Sequence, residues 1–323
     1  MGLDKLKTQF IDSLADGQAI QDVFIVTEKT MAHKKDGEPF IQARFTDRTG
    51  SIRGVIWDNV ETVSTRFGHG DYVKINARVT TYRETLQLTV LSVQRVMKEQ
   101  IDPGDFLPKT KRDTTQMFQQ LQTQSQSVKN PHLNLVLHKF WEDSVFVEKF
   151  CIAPAAIKMH HAYLGGLLEH TLSVSMLVDR LIKCHYRGID RDLLLTGAML
   201  HDIGKIEEYE YTTMIDYSTE GRLLNHIIIG IRMLDEKIAS IPNFPEMTSQ
   251  LLRHLVISHH GVREYGSPEP PKTLEAVILH YLDDLDSKIM GIRDYLEKSD
   301  ESTQWTPFFY PMERHFYKGN TLC

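Results

Sequence analysis

The chain has 323 residues, 41% hydrophobic and 25% charged, which is the composition of an ordinary soluble globular protein with room for two domains. The formal net charge is -6: residues 1–100 carry 14 basic and 13 acidic side chains, the remainder 23 and 30, so the second part does not bind polyanions by charge alone. No apolar run approaches the roughly eighteen residues of a membrane span.

The start, MGLDKLKTQFIDSLADG, has acids and no apolar h-region, and position 6 is not Ser or Thr, so neither a secretory leader nor a myristoylation signal is read there. A cytoplasmic protein without a membrane partner is expected. Three scattered cysteines, Cys151, Cys184 and Cys323, fit neither a disulfide framework nor a C-x-x-C zinc site. From 18 to 96 the pattern is that of strands. FIQARFT alternates Ile41, Ala43 and Phe45 with Phe40, Gln42, Arg44 and Thr46, and YVKINARV repeats the alternation. Turn residues in KKDGEP, DRTG and GHGD separate five strands near 18–30, 39–46, 51–57, 71–80 and 84–96, with a short helix, NVETVSTRF, after the third. That order is the one of an OB-fold barrel, expected over 1–100.

A Pro- and Gly-containing stretch, KEQIDPGDFLPKTKRD, marks a linker and connecting helix over 101–130. Beyond it the period becomes helical, and an all-α domain is expected over 131–300. Candidate helices, the first within the connecting segment, are 114–125, 132–150, 166–186, 191–203, 222–241, 245–258 and 273–299. The last segment, 301–323, is too aromatic for a solvated terminus: WTPFFYPMERHFYKG either packs back on the bundle or makes a subunit contact.

Fifteen histidines, most of them between His160 and His280, are the chemical signal. In order come His170 in GGLLEHT, His201 and Asp202 in LHDIGK, His226 in LLNHIIIG, His259 and His260 in ISHHG, and Asp283 in LHYLDDLDSK. Each sits on or at the end of an otherwise apolar helix, where imidazoles and carboxylates are costly unless ligated or hydrogen-bonded. Any one of them alone reads as an ordinary core histidine, whereas the ordered set reads as a metal site. Imidazole with carboxylate suits Mn, Fe, Co, Ni or Zn better than Mg. Adjacent residues point about 100° apart on a helix, so His201 and Asp202 reach one ion only from a helix end. The second carboxylate oxygen of Asp202 leaves room for a second ion, and two ions close together can clamp a phosphoryl oxygen.

The ordered series resembles the HD superfamily of metal-dependent phosphohydrolases. With a barrel in front, the chain is similar to the YhaM-type 3'-to-5' exoribonucleases of bacteria. The resemblance implies that His170, His201, Asp202 and Asp283 hold the principal ion, with His226 and His259 or His260 available for a second. Asp284 and Asp286 share the last motif, and the choice of Asp283 rests on the family register. Mn2+ is the expected metal, as one or two ions, and a homo-oligomer is expected on the same grounds. Asp202 and Lys205 are the catalytic candidates: Lys205 as an electrostatic clamp on phosphate or, blandly, as a cap on a helix end. His161 is a candidate substrate contact or a structural hydrogen-bonding group.

On the barrel, Phe40, Arg44, Arg53 and Trp57 are the candidate strand-binding residues, with Tyr82, Arg83, Lys34 and Lys35 as companions, because OB-folds hold single strands by stacking and basic side chains. Trp57 can equally fill the core. The reading is a metal-dependent 3'-to-5' exonuclease acting on single-stranded RNA or DNA. One alternative is a phosphohydrolase of small nucleotides; another is a nucleic-acid-binding adaptor with a structural metal.

Overall fold

The computed structural model describes residues 6–34, 36–157, 160–184, 186–299 and 303–319; Lys35 and Cys323 lie outside them. The chain divides into two compact units. One runs to Lys109 and takes in Glu210–Asp216; the other comprises Thr110–Tyr209 and the chain from Tyr217 onward.

The first unit is a closed five-stranded OB barrel. Its strands are β1 (Ala19–His33), β2 (Pro39–Asp47), β3 (Gly50–Ile56), β4 (Tyr72–Tyr82) and β5 (Thr85–Val96), in the order β1-β2-β3-β5-β4. The length of β1 lets it serve two neighbours: its first half pairs with β4 and its second half with β2, with a register shift between Val26 and Glu28. A short parallel pairing of β3 with β5 completes the ring. The alternation seen in the sequence is what closes it, since Ile41, Ala43 and Phe45 point inward with Phe24, Val73, Ile75 and Leu88. A Cβ at Gly54 would stand 2.4 Å from the Phe45 ring, so glycine there admits the largest inward side chain of β2. The expected helix shrinks to α1 (Val60–Ser64). Residues expected to begin a linker instead pack on the barrel, Ile101 and Phe106 joining Val23, Ile25 and Tyr72 in a small apolar cluster.

The second unit is helical: α2 (Thr114–Gln126), α3 (Pro131–Trp141), α4 (Ser144–Ile152), α5 (Gly166–Ile182), α6 (Arg191–Leu200), α7 (Lys205–Glu208), α8 (Thr219–Ala239), α9 (Glu246–Ser258) and α10 (Leu274–Lys298). Two expectations change. The helix expected over 132–150 is broken after Trp141, where the Asp143 carboxylate accepts the Phe146 N–H at 3.1 Å and starts α4 as an N-cap. The helix expected from 222 begins at Thr219, capped by Ser218, and is interrupted at Asn225 (φ 66°, ψ 152°). No helix among the described residues is long and apolar enough to cross a membrane.

Candidate metal centre

Five helices of the second unit deliver the expected ligands to one place. His170 comes from the first turns of α5. His201 and Asp202 follow the last turn of α6, His226 follows the break in α8, His259 ends α9, and Asp283 lies on α10. The pairing of His201 with Asp202 works because His201 is the C-cap of α6. There its Nδ1 donates to the Ala198 carbonyl at 2.9 Å, the carbonyl three residues back that the helix end leaves without an intrahelical partner. His259 repeats the device at the end of α9, donating from Nδ1 to Val256 O at 2.7 Å. A carbonyl can only accept, so both rings carry their proton on Nδ1 and turn a bare Nε2 inward.

The other two imidazoles are oriented by carboxylates. Nδ1 of His170 lies 2.8 Å from Asp286 Oδ2, and Nδ1 of His226 lies 2.9 Å from Glu208 Oε1. Four Nε2 atoms therefore converge on Asp202. On one side, His170 and His201 Nε2 lie 3.5 and 3.4 Å from Asp202 Oδ2, with Asp283 Oδ1 3.1 Å from His170 Nε2. On the other side, His226 and His259 Nε2 lie 3.6 and 3.5 Å from Asp202 Oδ1. Ligand atoms around an ion with bonds of about 2.1 Å are spaced by about 3 to 3.5 Å, so these separations fit coordination of a cation.

The buried polar atoms left without hydrogen bonds include Asp202 Oδ1, His226 Nε2 and His259 Nε2. Such atoms cost free energy in a sealed interior unless a non-protein group satisfies them, and a divalent cation would. Two ligand groups can be drawn from the described residues around Asp202: His170, His201 and Asp283, and His226, His259 and His260. Lys205, one turn beyond, donates from Nζ to Asp202 Oδ2 at 2.6 Å. Burial opposes its charge, but Asp202 and Asp283 outweigh that and hold the ammonium protonated.

A cavity of about 350 Å³ opens onto this cluster, with Lys205, His259, His260 and Asp283 in its wall. His161, read as either a substrate contact or a structural hydrogen-bonding group, is not among the residues of that wall. It is 1% exposed and sits behind His170, with Nε2 3.2 Å from Asp286 and Nδ1 2.9 Å from the Tyr163 hydroxyl. Its neighbour His160 faces the cavity instead, its Nε2 3.1 Å from Ser287 Oγ, and burial pulls its pKa down to about 3. Glu208, His160 and His280 were not candidate residues in the sequence, and Asp286 was named there only as sharing the last motif with Asp283. Asp286 follows Asp283 by three residues and so shares its helix face. Asp284, between them, pairs with Lys288 at 2.6 Å.

The HD domain family matches residues 167–288, and an OB-fold nucleic acid binding domain family matches 25–96. Over 303 residues the chain is 31% identical to the 3'-5' exoribonuclease YhaM of Bacillus velezensis, covering 94% of this chain and 95% of that protein. It is 32% identical over 304 residues to the protein of the same name from Bacillus subtilis, with the same coverage. The chain belongs to the YhaM family. As in the family's two matched parts, this member joins an OB barrel for nucleic acid to an HD domain that depends on divalent metal.

The barrel presents the residues expected to hold a strand. Phe40 and Trp57 follow just beyond the last β2–β3 pair, Ile41 with Ile56, and their rings stack with centroids 4.8 Å apart. Trp57 is 40% exposed, so it does not fill the core, and Lys34 Nζ lies 5.4 Å from its ring. Arg44 and Arg53 are direct cross-strand partners on the same outward row. Arg53 donates to Gln42, and Arg44 pairs with Glu28 at 3.1 Å. Tyr82 and Arg83, at the β4–β5 turn, add a second exposed aromatic with a cation beside it.

Proposed function

We propose that this chain is a metal-dependent 3'-to-5' exonuclease of single-stranded RNA, holding the strand on the barrel and hydrolysing its terminal phosphodiester bond at the five-helix centre. The observation that carries the reading is the set of four Nδ1-anchored imidazoles whose Nε2 atoms meet the two oxygens of Asp202. Polarity and RNA preference are supported by the relatives' names.

His170, His201, Asp202 and Asp283 would hold one ion and His226 with His259 and His260 a second, with Asp202 shared; Mn2+ suits these ligands. Bound divalent ions supply an activated water and polarisation of a phosphoryl oxygen. The remaining work belongs to the chain. Lys205 fixes the Asp202 carboxylate and adds positive charge at the cavity, where negative charge grows on the phosphoryl oxygens. His160, kept neutral by burial, offers hydrogen bonding at the cavity wall without charge.

A homo-oligomer accompanies this reading. Leu274, Val277, Tyr281, Leu285 and Ile289 form an exposed apolar row on α10, opposite the face that carries Asp283, and a contiguous exposed apolar patch commonly marks a protein–protein contact. Cytoplasmic location is supported by the scattered cysteines.

The test is a product ladder from 3'- and 5'-labelled RNA and DNA oligonucleotides with Mn2+. Stepwise shortening from the 3' end of RNA, lost in His201→Ala, is expected. Intact strands of both kinds would overturn the reading, and barrel-independent hydrolysis of small nucleotides would favour the phosphohydrolase alternative.

A further inference from the structure

The C-terminal segment forms a small hairpin that supplies none of the candidate ligands. Trp305 pairs with Tyr317 and Phe309 with Arg314 as antiparallel bridges. Thr306 pins the base: its N–H donates to Phe316 O at 2.9 Å, its Oγ1 accepts the Phe316 N–H at 2.9 Å, and its carbonyl accepts from His315 Nδ1 at 2.8 Å. The Phe309 ring lies against Tyr295 of α10, centroids 4.5 Å apart, which fastens the hairpin to the helix that carries Asp283.

That attachment places Phe309, Pro311 and Met312 in the wall of the same cavity as Lys205, His259 and Asp283. At about 350 Å³ the cavity falls within the usual range of about 300 to 1,000 Å³ for small-ligand sites. One wall thus carries Lys205 and candidate metal ligands, and the other is apolar. Beside the apolar wall, Phe308 and Tyr310 meet edge to face at 5.0 Å, and Tyr310 is 81% exposed. Between Trp305 and Lys318 there are two bases, Arg314 and Lys318, and one acid, Glu313, in a part of the chain otherwise rich in acid.

We infer that this hairpin is a stacking platform for the bases at the 3' end of the strand, an inference that rests on the nuclease reading. The wall of Phe309, Pro311 and Met312 receives the terminal base, and Tyr310 at the rim stacks on the base that precedes it. A strand offers anionic phosphates and flat apolar faces in alternation. The carboxylates of the centre can face phosphate only through cations, whereas an aromatic wall attracts any base whatever its identity. Tyrosine suits such a rim because it gives a large contact area while ordering only two torsions. The small positive balance and the continuity with the catalytic cavity favour nucleotides over a second copy of this chain as occupant.

The experiment uses the full-length protein loaded with Mn2+ and an RNA oligomer with 2-aminopurine as the penultimate base at its 3' end, read by rapid mixing before turnover. Stacking quenches the probe, so wild type and Tyr310→Phe are expected to quench it and Tyr310→Ala to leave it bright. Tyr310→Ala should also raise KM for the strand about tenfold. Phe308→Leu, on the flank of the same cluster, should weaken the quench in part. Unchanged quench and KM in Tyr310→Ala overturn the proposal, as does a changed subunit number in that variant with quench intact, which would assign the surface to self-association. Quench without any cleavage by wild type would leave the platform standing and sink the nuclease reading.

Discussion

At the level of single residues, Asp202 differs from the other ligands because its two oxygens face different groups of imidazoles. Asp202→Asn should therefore abolish binding at both positions, whereas His226→Ala should spare the group made by His170, His201 and Asp283. Titration calorimetry with Mn2+ checks this, and a variant Asp202→Asn with full stoichiometry would refute the shared role. Asp286 holds no central position but orients His170 while accepting from Ser173 and His161. Removing a carboxylate behind a ligating histidine typically costs about 10- to 100-fold in metal affinity, and Asp286→Asn is expected to do so with Asp283 untouched. The same carboxyls set an acid limit. Burial pushes Asp286 and Glu208 up, but hydrogen bonds from His161 and His170 to the first, and from His226 to the second, hold both below their ordinary values. Their contribution is complete above the unfolded values of about 4 and is lost as pH falls below them. Metal-free protein should melt progressively lower from about pH 4 downward, and Asp286→Asn should flatten that slope.

At the level of elements, the turn between α6 and α7 and the break in α8 are one construction. A Cβ at Gly204 would lie 1.9 Å from the His226 carbonyl, so the HDIGK turn must be glycine there for His226 to reach Asp202. Asn225, just before it, has a φ and ψ pair that is nearly reserved for glycine, and its Oδ1 caps the resumed helix at Ile227 N, 2.9 Å away. Gly204→Ala should lower metal affinity while leaving the barrel's strand affinity intact; equal loss of both would mean a general folding defect. These elements also mark what could be read in advance. The barrel was legible because strict alternation in β2 and β4 has one physical solution, inward Ile41 and Phe45 against outward Phe40 and Arg44. The ligand series was legible because each polar residue interrupts an apolar helix. The interruption of α8 was not, since a single exposed asparagine inside a helical pattern carries no periodic signal. His161 kept two readings open, substrate contact or structural hydrogen bond, because His160 and His161 adjoin and sequence does not say which one turns toward the cavity; His161 has φ 53°, a backbone choice set by its surroundings.

For the whole molecule, charge is divided between the parts, with the barrel end near neutrality and the remainder acidic. Strand affinity should then depend more on stacking than on ion release. Trp57→Ala should weaken single-strand binding by roughly 1 to 3 kcal/mol without changing the salt slope. Arg44→Ala should instead reduce the slope of log affinity against log salt by about 0.7, the value for one phosphate contact on a single strand. Fluorescence anisotropy over a salt series separates the two, and equal slopes in both variants would remove Arg44 from the interface.

Because the histidines at the ends of α6 and α9 are anchored by their own helices' final carbonyls, fraying of either end would carry a ligand away with it. Cation occupancy and helix integrity are therefore one equilibrium. Saturation at a hundred times the dissociation constant adds about 2.7 kcal/mol to a native state, which for a unit of this size corresponds to a rise of about 5 to 10 °C in Tm. Amide deuterium uptake in those two terminal turns should slow by the same linkage, giving a thermometer for loading that needs no substrate.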